Sequence, residues 1–396
     1  MTTSASSSAG WDQARHVLCV RLDAAGDVLM TEPALRALAA TMPERRLTLL
    51  TSRSGREAAR LIRCVEDVIV YEAPWMKSVR TTSSADDRAM IARLRAERFD
   101  AAAIFTVYTQ SALPAALLCT LAEIPRRAAH CRENPYHLLT EWVRETEPDV
   151  RVRHEVRRQL DLAAALGGRV ADDRLSISIG GAALRTTDRL LCQMIDPVKR
   201  WIVMHPGASA PSRRYPVESF AAAAAQLTRD FDCQILWTGS QEEAALIAEA
   251  QAIMSERSHS LAGRLSFEEL AALIAKAPLV ISNNTSVVHL AAAVSTPVVD
   301  LYALTNPQHT PWRVPCRVLF EDVPCRFCYK SVCPEVHHRC LKGVAPDAVV
   351  SAAVQLLERN LDNRSTSAPG DETTCLFEDN LRAWRASAAD KSQRVA

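Results

Sequence analysis

The sequence has no apolar run long enough to cross a bilayer. The longest, residues 112–124, contains Pro114 and falls short of the roughly 20 residues a helical span needs. It also has almost no net charge, +1 from 47 basic and 46 acidic residues, so no surface-wide attraction to nucleic acid or another polyanion is expected. Arginines do cluster, at Arg126–Arg127, across residues 151–158 and at Arg213–Arg214; such clusters are mostly solvated faces, and a few meet acidic substrates. Residues 1–10 are rich in Ser, Thr and Ala and lack the basic stretch and apolar core of a leader peptide. A soluble cytoplasmic protein is therefore expected, with any membrane contact peripheral at the inner face.

Several catalytic signatures are missing as well. No GxGxxG follows the first apolar run, which argues against a nicotinamide dehydrogenase. No GxxxxGK[ST] occurs, which excludes a P-loop nucleotidase, and no GxSxG or HExxH, which sets aside the hydrolase elbow and the zinc-protease helix.

What the chain does have is alternation. Residues 16–22 form an apolar run with no polar face, as in the interior of a parallel sheet. A tight turn, Asp23-Ala-Ala-Gly-Asp27, leads to a helix over 28–41 that ends at Pro43. Strands at 47–51, 68–71 and 100–106 alternate with helices at 90–98 and 112–121, and a polar loop at 75–84 could cover a site. Residues 134–153 read as irregular, 154–166 as an amphipathic helix, and 171–196 as a polar linker. A second alternation follows: strands at 201–204, 233–238, 260–262, 278–281 and 298–303, and helices at 217–229, 242–255, 266–276 and 287–294. A last helix covers 346–360, and disorder is expected before residue 15 and after 360.

The expected fold class is therefore α/β, with two Rossmann-like domains at 15–180 and 197–345 whose parallel sheets face a central cleft. Ligands of such domains sit at the carboxyl ends of the strands. Asp27 lies at such an end in the first domain; Ser209, Arg213, Gln241 and Asn284 lie at such ends in the second. The stretch 278–303 is a strand, a polar turn, a helix and a strand. Its turn, Asn284-Thr285-Ser286, presents backbone N–H groups at a helix start, where a phosphate can bind, and His289 lies in the first turn. The plainer alternative is a helix capped by Thr285 or Ser286, with His289 packed in the core.

Of twelve cysteines, most stand in apolar contexts and read as small buried hydrophobes. Cys325, Cys328, Cys333 and Cys340 form a cluster, Cys-x2-Cys-x4-Cys-x6-Cys. Four thiolates at this spacing suit a structural zinc or iron site. His337 and His338 are spare donors, and reduced thiols or disulfides remain the alternative. Because the cluster follows the donor-side motifs, no catalytic role is assigned to it.

The segments VLCVRLDAAGDVLMTEPALRAL (17–38), HEVRRQLDLAAALG (154–167), IVMHPGAS (202–209), LAGRLSFEELAALIAKAPLVISNNTSVVHLAAAVSTPVV (261–299) and LTNPQHTPW (304–312), together with the cysteine cluster, resemble glycosyltransferase family 9, the bacterial ADP-heptose:lipopolysaccharide heptosyltransferases. The resemblance spans residues 16–358. It implies a GT-B fold with a C-terminal helix crossing back to the first domain, and inverting transfer without a catalytic metal or other required cofactor. It implies Asp27 as the catalytic base, with Asp23 as the nearby competitor. It places Arg213 against the donor phosphates, and His205, Gly207 and Ser209 in a loop around the donor. Gln241 falls near the donor ribose position, Leu265 near the adenine pocket, and Thr285 and His289 at the phosphate and sugar end. Two departures stand out. The family's Asp-Ser/Thr-Gly-x-x-His is here Asn284-Thr285-Ser286-Val287-Val288-His289, and its Thr-Asp-Pro is Thr305-Asn306-Pro307. Both lie on the donor side, so a donor other than ADP-heptose is an open expectation.

The leading expectation is transfer of heptose or a related sugar from a nucleotide-diphosphate sugar to a cell-envelope glycan or glycolipid, such as lipopolysaccharide core. A GT-B-shaped nucleotide-sugar epimerase and a non-catalytic nucleotide-sugar-binding or assembly protein are the alternatives. An epimerase would change the donor without any acceptor; a binding protein would leave it unchanged.

Overall fold

The computed structural model describes residues 10–77 and 83–363. The expected disordered ends, and part of the polar loop at 75–84, lie outside the described residues. The chain divides into two compact units, residues 1–178 and 179–396. Among the described residues, no helix is long and apolar enough to cross a membrane.

The first unit holds strands β1 (His16–Arg21), β2 (Arg46–Thr51), β3 (Asp67–Val70), β4 (Ala101–Ile104), β5 (Arg126–Cys131) and β6 (Glu141–Arg144). Its helices are α1 (Ala25–Ala40), α2 (Arg56–Arg60), α3 (Ser84–Ala96), α4 (Leu113–Leu121) and α5 (Glu155–Ala165). The strands form one parallel sheet in the order β3-β2-β1-β4-β5-β6. Central strands are buried along nearly their whole length, which is why they read as unbroken apolar runs.

The second unit opens with α6 (Gly181–Met194) and continues with β7 (Arg200–His205), α7 (Val217–Phe231), β8 (Cys233–Trp237), α8 (Ala244–Met254), β9 (His259–Ser260), α9 (Phe267–Lys276), β10 (Val280–Asn283), α10 (Ser286–Ala293), β11 (Val298–Leu301), β12 (Cys316–Leu319), α11 (Arg339–Lys342) and α12 (Pro346–Asn363). Its sheet is parallel, in the order β12-β11-β10-β7-β8-β9. Renumbered within the unit, that order matches the first sheet. The strand order reverses beside β1, where β4 joins, and beside β7, where β10 joins. Those two places are where ligands collect in this architecture.

Two expectations change. The polar linker at 171–196 contains α6, which packs on α9 through the buried Ala183 and Thr187 and belongs to the second unit. Residues 134–153 contain an edge strand, β6, whose alternating half-exposed pattern gave no apolar run to read. The last helix, α12, places Val349, Ala353 and Leu356 in the core of its own unit, beside α7, β11 and β12.

Candidate functional site

In the first unit the site is built on a buried arginine. Arg21, the last residue of β1, is fully buried and forms ion pairs with three carboxylates: Asp23 at 3.0 Å, Asp27 at 3.2 Å and Glu155 at 2.9 Å. A buried guanidinium needs such partners, because leaving it uncompensated is costly. Gln110 Nε2 donates to Asp23 Oδ1 at 2.6 Å, and Gln159 Nε2 donates to Glu155 Oε1 at 2.6 Å. Burial, with Asp27 adding to it and Arg21 opposing, pushes the Asp23 carboxyl up from 3.8 to about 6. Asp27 is the more exposed of the pair, 18% against 10% for the side chains. It sits in the first turn of α1, and its Oδ2 accepts from the N–H of Ala24, the residue before the helix, at 3.3 Å. The helix therefore starts earlier than residue 28, and Asp27 is not its N-cap; it occupies the third helical position and reaches back. Arg21 and Glu155 escaped sequence reasoning, because an isolated Arg on a strand and a Glu at a helix start carry no signal until folding joins them.

In the second unit the site is pinned by Asn283, the buried last residue of β10. Its Nδ2 donates to Pro206 O at 2.7 Å, and its Oδ1 accepts from the N–H of Tyr215 at 3.0 Å. One side chain thus ties the loop after β7 to the segment that follows Arg213. His205 is buried, and its Nδ1 lies 3.1 Å from Thr238 Oγ1. Burial lowers its pKa, with Glu243 opposing, so the imidazole is neutral near pH 7. A Cβ on Gly207 would collide with the Glu243 carboxylate, so that glycine leaves room for the acid. Ser209 is exposed. Arg214 Nε donates to Ala208 O at 2.7 Å and braces the same loop. Arg213 ends a 3-10 turn, Pro211–Arg213, half-buried, and its charge acts on Asp300 and Tyr302.

Thr285 caps α10: its Oγ1 accepts from the N–H of Val287 at 3.3 Å. By helix geometry the N–H of Ser286 has no partner within its own helix. His289 lies in the second half of that first turn and is buried, at 3% exposure. Gln241 lies over Gly263, whose Cβ position its Oε1 occupies, two residues before the half-buried Leu265. Asn284 is buried and gives both amide hydrogens to the protein: Nδ2 donates to Asp300 Oδ2 and to His309 O, each at 2.9 Å. Burial pushes the Asp300 carboxyl up to about 8, against the opposing Asn284 bond and Arg213 charge. Position 284 carries no charge here, and the acid it bonds, Asp300, stands on the neighbouring strand β11. Asn283, Asp300 and Glu243 were not foreseen. Only Glu243 left a trace in the sequence, as the fourth residue of the Ser240-x-x-Glu243 capping pattern, where its Oε2 accepts from the N–H of Ser240 at 2.8 Å.

The four clustered cysteines, His337 and His338 line one small cavity. All eleven described cysteines are free thiols. Among the described residues no three His, Cys, Asp or Glu side chains already stand close enough to hold a metal ion. The four thiols share a cavity there without forming a finished ligand set.

The family model for glycosyltransferase family 9 (heptosyltransferase) matches residues 88–338, well over half the chain. The chain belongs to glycosyltransferase family 9. The lipopolysaccharide heptosyltransferase 2 of Escherichia coli is 26% identical over 357 residues, 84% of this chain and 95% of that protein. The lipooligosaccharide heptosyltransferase 2 of Campylobacter jejuni is 28% identical over 168 residues, 41% of this chain, and there the match spans about half of the relative, 52%. Among solved structures, the E. coli ADP-heptose lipopolysaccharide heptosyltransferase II superposes with a TM-score of 0.69 at 22% identity, covering 87% of this chain and 99% of that one. At that identity the superposition speaks to the fold: two Rossmann-like domains of the GT-B class.

Proposed function

We propose that this family 9 chain transfers a heptose from a nucleoside-diphosphate heptose to a lipopolysaccharide-core-type acceptor, with inversion at the anomeric carbon. The observation that carries the reading is the way Asn283 pins the His205 loop and the Arg213 segment at the strand-order reversal of the second sheet, beside the α10 N-terminus. A helix N-terminus and a guanidinium together suit a diphosphate. The named activities of the relatives supply the sugar and the acceptor class.

In the proposed step the acceptor hydroxyl attacks the anomeric carbon while Asp27 takes its proton. The bond from that carbon to the diphosphate oxygen breaks, and the nucleoside diphosphate leaves with the electron pair. Arg213 and the backbone N–H at Ser286 stabilise the charge that develops on it. Arg21 keeps Asp27 oriented, while burial raises the pKa of the Asp23 carboxyl. Two neighbouring carboxyls with divergent environments divide into a base and a bystander. Peripheral contact with a membrane follows only from the glycolipid acceptor and forms part of the proposal.

Calorimetric titration with ADP tests the donor assignment. ADP should bind the full chain, and Arg213→Ala should weaken it by about ten- to a hundredfold, the loss of one charge-assisted contact of roughly 1.5–3 kcal/mol. An unchanged affinity would remove Arg213 from the site.

A further inference from the structure

The segment between β12 and α11, residues 320–338, has no regular secondary structure and is mostly exposed. It nevertheless holds four non-glycine residues in the left-handed region: Phe327 at φ 58°, Tyr329 at 54°, Val336 at 60° and His338 at 51°. For a β-branched residue such as Val336 this conformation is a genuine outlier. Such backbone persists where surrounding interactions over-determine it. The apolar support is thin, a buried cluster of Tyr302, Leu304 and Val323 with a few half-buried neighbours. Natural segments with so little core are held by cross-links.

The cross-linking chemistry here is the four cysteines, each half-buried and each facing one cavity. Left-handed Phe327 lies inside the Cys325-x2-Cys328 turn, and Val336 and His338 lie between Cys333 and Cys340. The turns that fold the loop back on itself are therefore the ones that aim its thiols together. Rotation about χ1 between staggered wells redirects each sulfur without moving the backbone.

His337 helps define the ligand set. The N–H of Arg339 donates to its Nδ1 at 2.9 Å. In the neutral ring the proton then belongs on Nε2, which faces Cys325 Sγ at 3.6 Å. A ring nitrogen carrying a proton toward sulfur is a hydrogen-bond donor, not a metal ligand. Outer N–H groups of this kind are a regular part of thiolate metal sites.

The loop is also tied to the donor side. Ser212, in the turn that ends at Arg213, donates its hydroxyl to Lys330 O at 2.9 Å and its N–H to Ser331 O at 3.1 Å. On the other flank, the N–H groups of Phe327 and Tyr329 donate to Leu304 O at 2.6 Å and Thr305 O at 2.7 Å. The stretch between Cys328 and Cys333 thus holds the Arg213 turn.

We infer that Cys325, Cys328, Cys333 and Cys340 hold one thiophilic divalent ion, zinc or iron in class, with His337 donating to a cysteine sulfur from outside, and that this ion clamps the turn carrying Arg213. Four S–H groups release their protons to solvent as four sulfur–metal bonds form. The clamp, unlike the ion site, rests on the donor reading given above.

The test uses the full chain, purified under reducing conditions without added metal. Elemental analysis should find about one equivalent of zinc or iron, and cobalt exchanged into the protein should show sulfur-to-cobalt charge transfer. Cys328→Ser and Cys333→Ser should fall below about a tenth of an equivalent, while His337→Gln keeps the ion with weaker affinity, by about ten- to a hundredfold. Reversible chelation of the wild-type protein should weaken ADP binding about tenfold, a misplacement of the Arg213 turn that added metal repairs. Folded wild-type protein with under about a tenth of an equivalent and no cobalt band would overturn the site, even if ADP binds well. Full metal content with ADP affinity unchanged by chelation would overturn the clamp. Full metal content with no ADP binding at all would overturn the donor reading and the clamp with it, leaving the ion site established.

Discussion

Asn284 shows how a single residue can depart from its family and keep the local physics. Its amide makes two donations into the protein, to Asp300 Oδ2 and His309 O. An aspartate there would face the His309 carbonyl acceptor to acceptor and would set a second acid against the fully buried Asp300. Asn284→Asp should therefore destabilise the protein by about 2–4 kcal/mol. Adding Asp300→Asn returns a donor to the pair and should restore most of the loss, as chemical denaturation of the double mutant would show. Equal instability of the single and double variants would separate the two residues. A second residue-scale expectation concerns Asp23. The folded chain holds its proton up to about pH 6, against an ordinary value of 3.8. Its contribution to stability is thus complete below about pH 4 and disappears as pH rises through 6, by at most about 3 kcal/mol for a shift of about two units. Asp23→Asn stays neutral throughout, so its Tm relative to wild type should climb between pH 4 and 7 and then level off. Parallel Tm profiles would contradict the raised pKa. Asp27 could be singled out in the sequence because its turn is a local pattern. Arg21, Asn283 and Asp300 could not, because their meaning comes from partners 134, 77 and 16 residues away.

At the scale of elements, the sequence revealed what is apolar on both faces or capped by a local motif. Ser266 was read as a helix cap, and its Oγ accepts from the N–H of Glu269 at 3.2 Å. The central strands were found to within a residue or two. The edge strands β6 and β12 were missed, since each is four residues long and mostly half-exposed or exposed. Helix α6 was missed because its buried side is narrow, with Ala183 and Thr187 as its buried residues. The turn before α10 is the element on which the donor reading leans, and the plainer sequence alternative is met there: Thr285 caps the helix and His289 is buried. Thr285→Ala should cost about 1 kcal/mol of stability through the lost cap. If the turn also holds phosphate, ADP binding should weaken alongside it in calorimetric titration. A stability loss with undiminished ADP affinity would leave Thr285 a cap and nothing more.

At the scale of the whole molecule, the chain repeats one topology twice, and each copy carries its candidate groups where the strand order reverses. The first unit holds carboxylates on a buried arginine; the second holds the loops and helix start on which the proposed diphosphate binding rests. That division was visible in the sequence as two rounds of alternation, although α6 and α12 proved to belong to the second unit. The central claim is that Asp27 activates the acceptor in a heptosyl transfer. It is tested most directly by single-turnover transfer from ADP-heptose to a core acceptor lacking the heptose, comparing wild type with Asp27→Asn. The account predicts transfer by the wild type and a fall of about 10²–10⁴-fold in the variant, with Tm and ADP affinity nearly unchanged. Transfer by Asp27→Asn within a few-fold of wild type would contradict it.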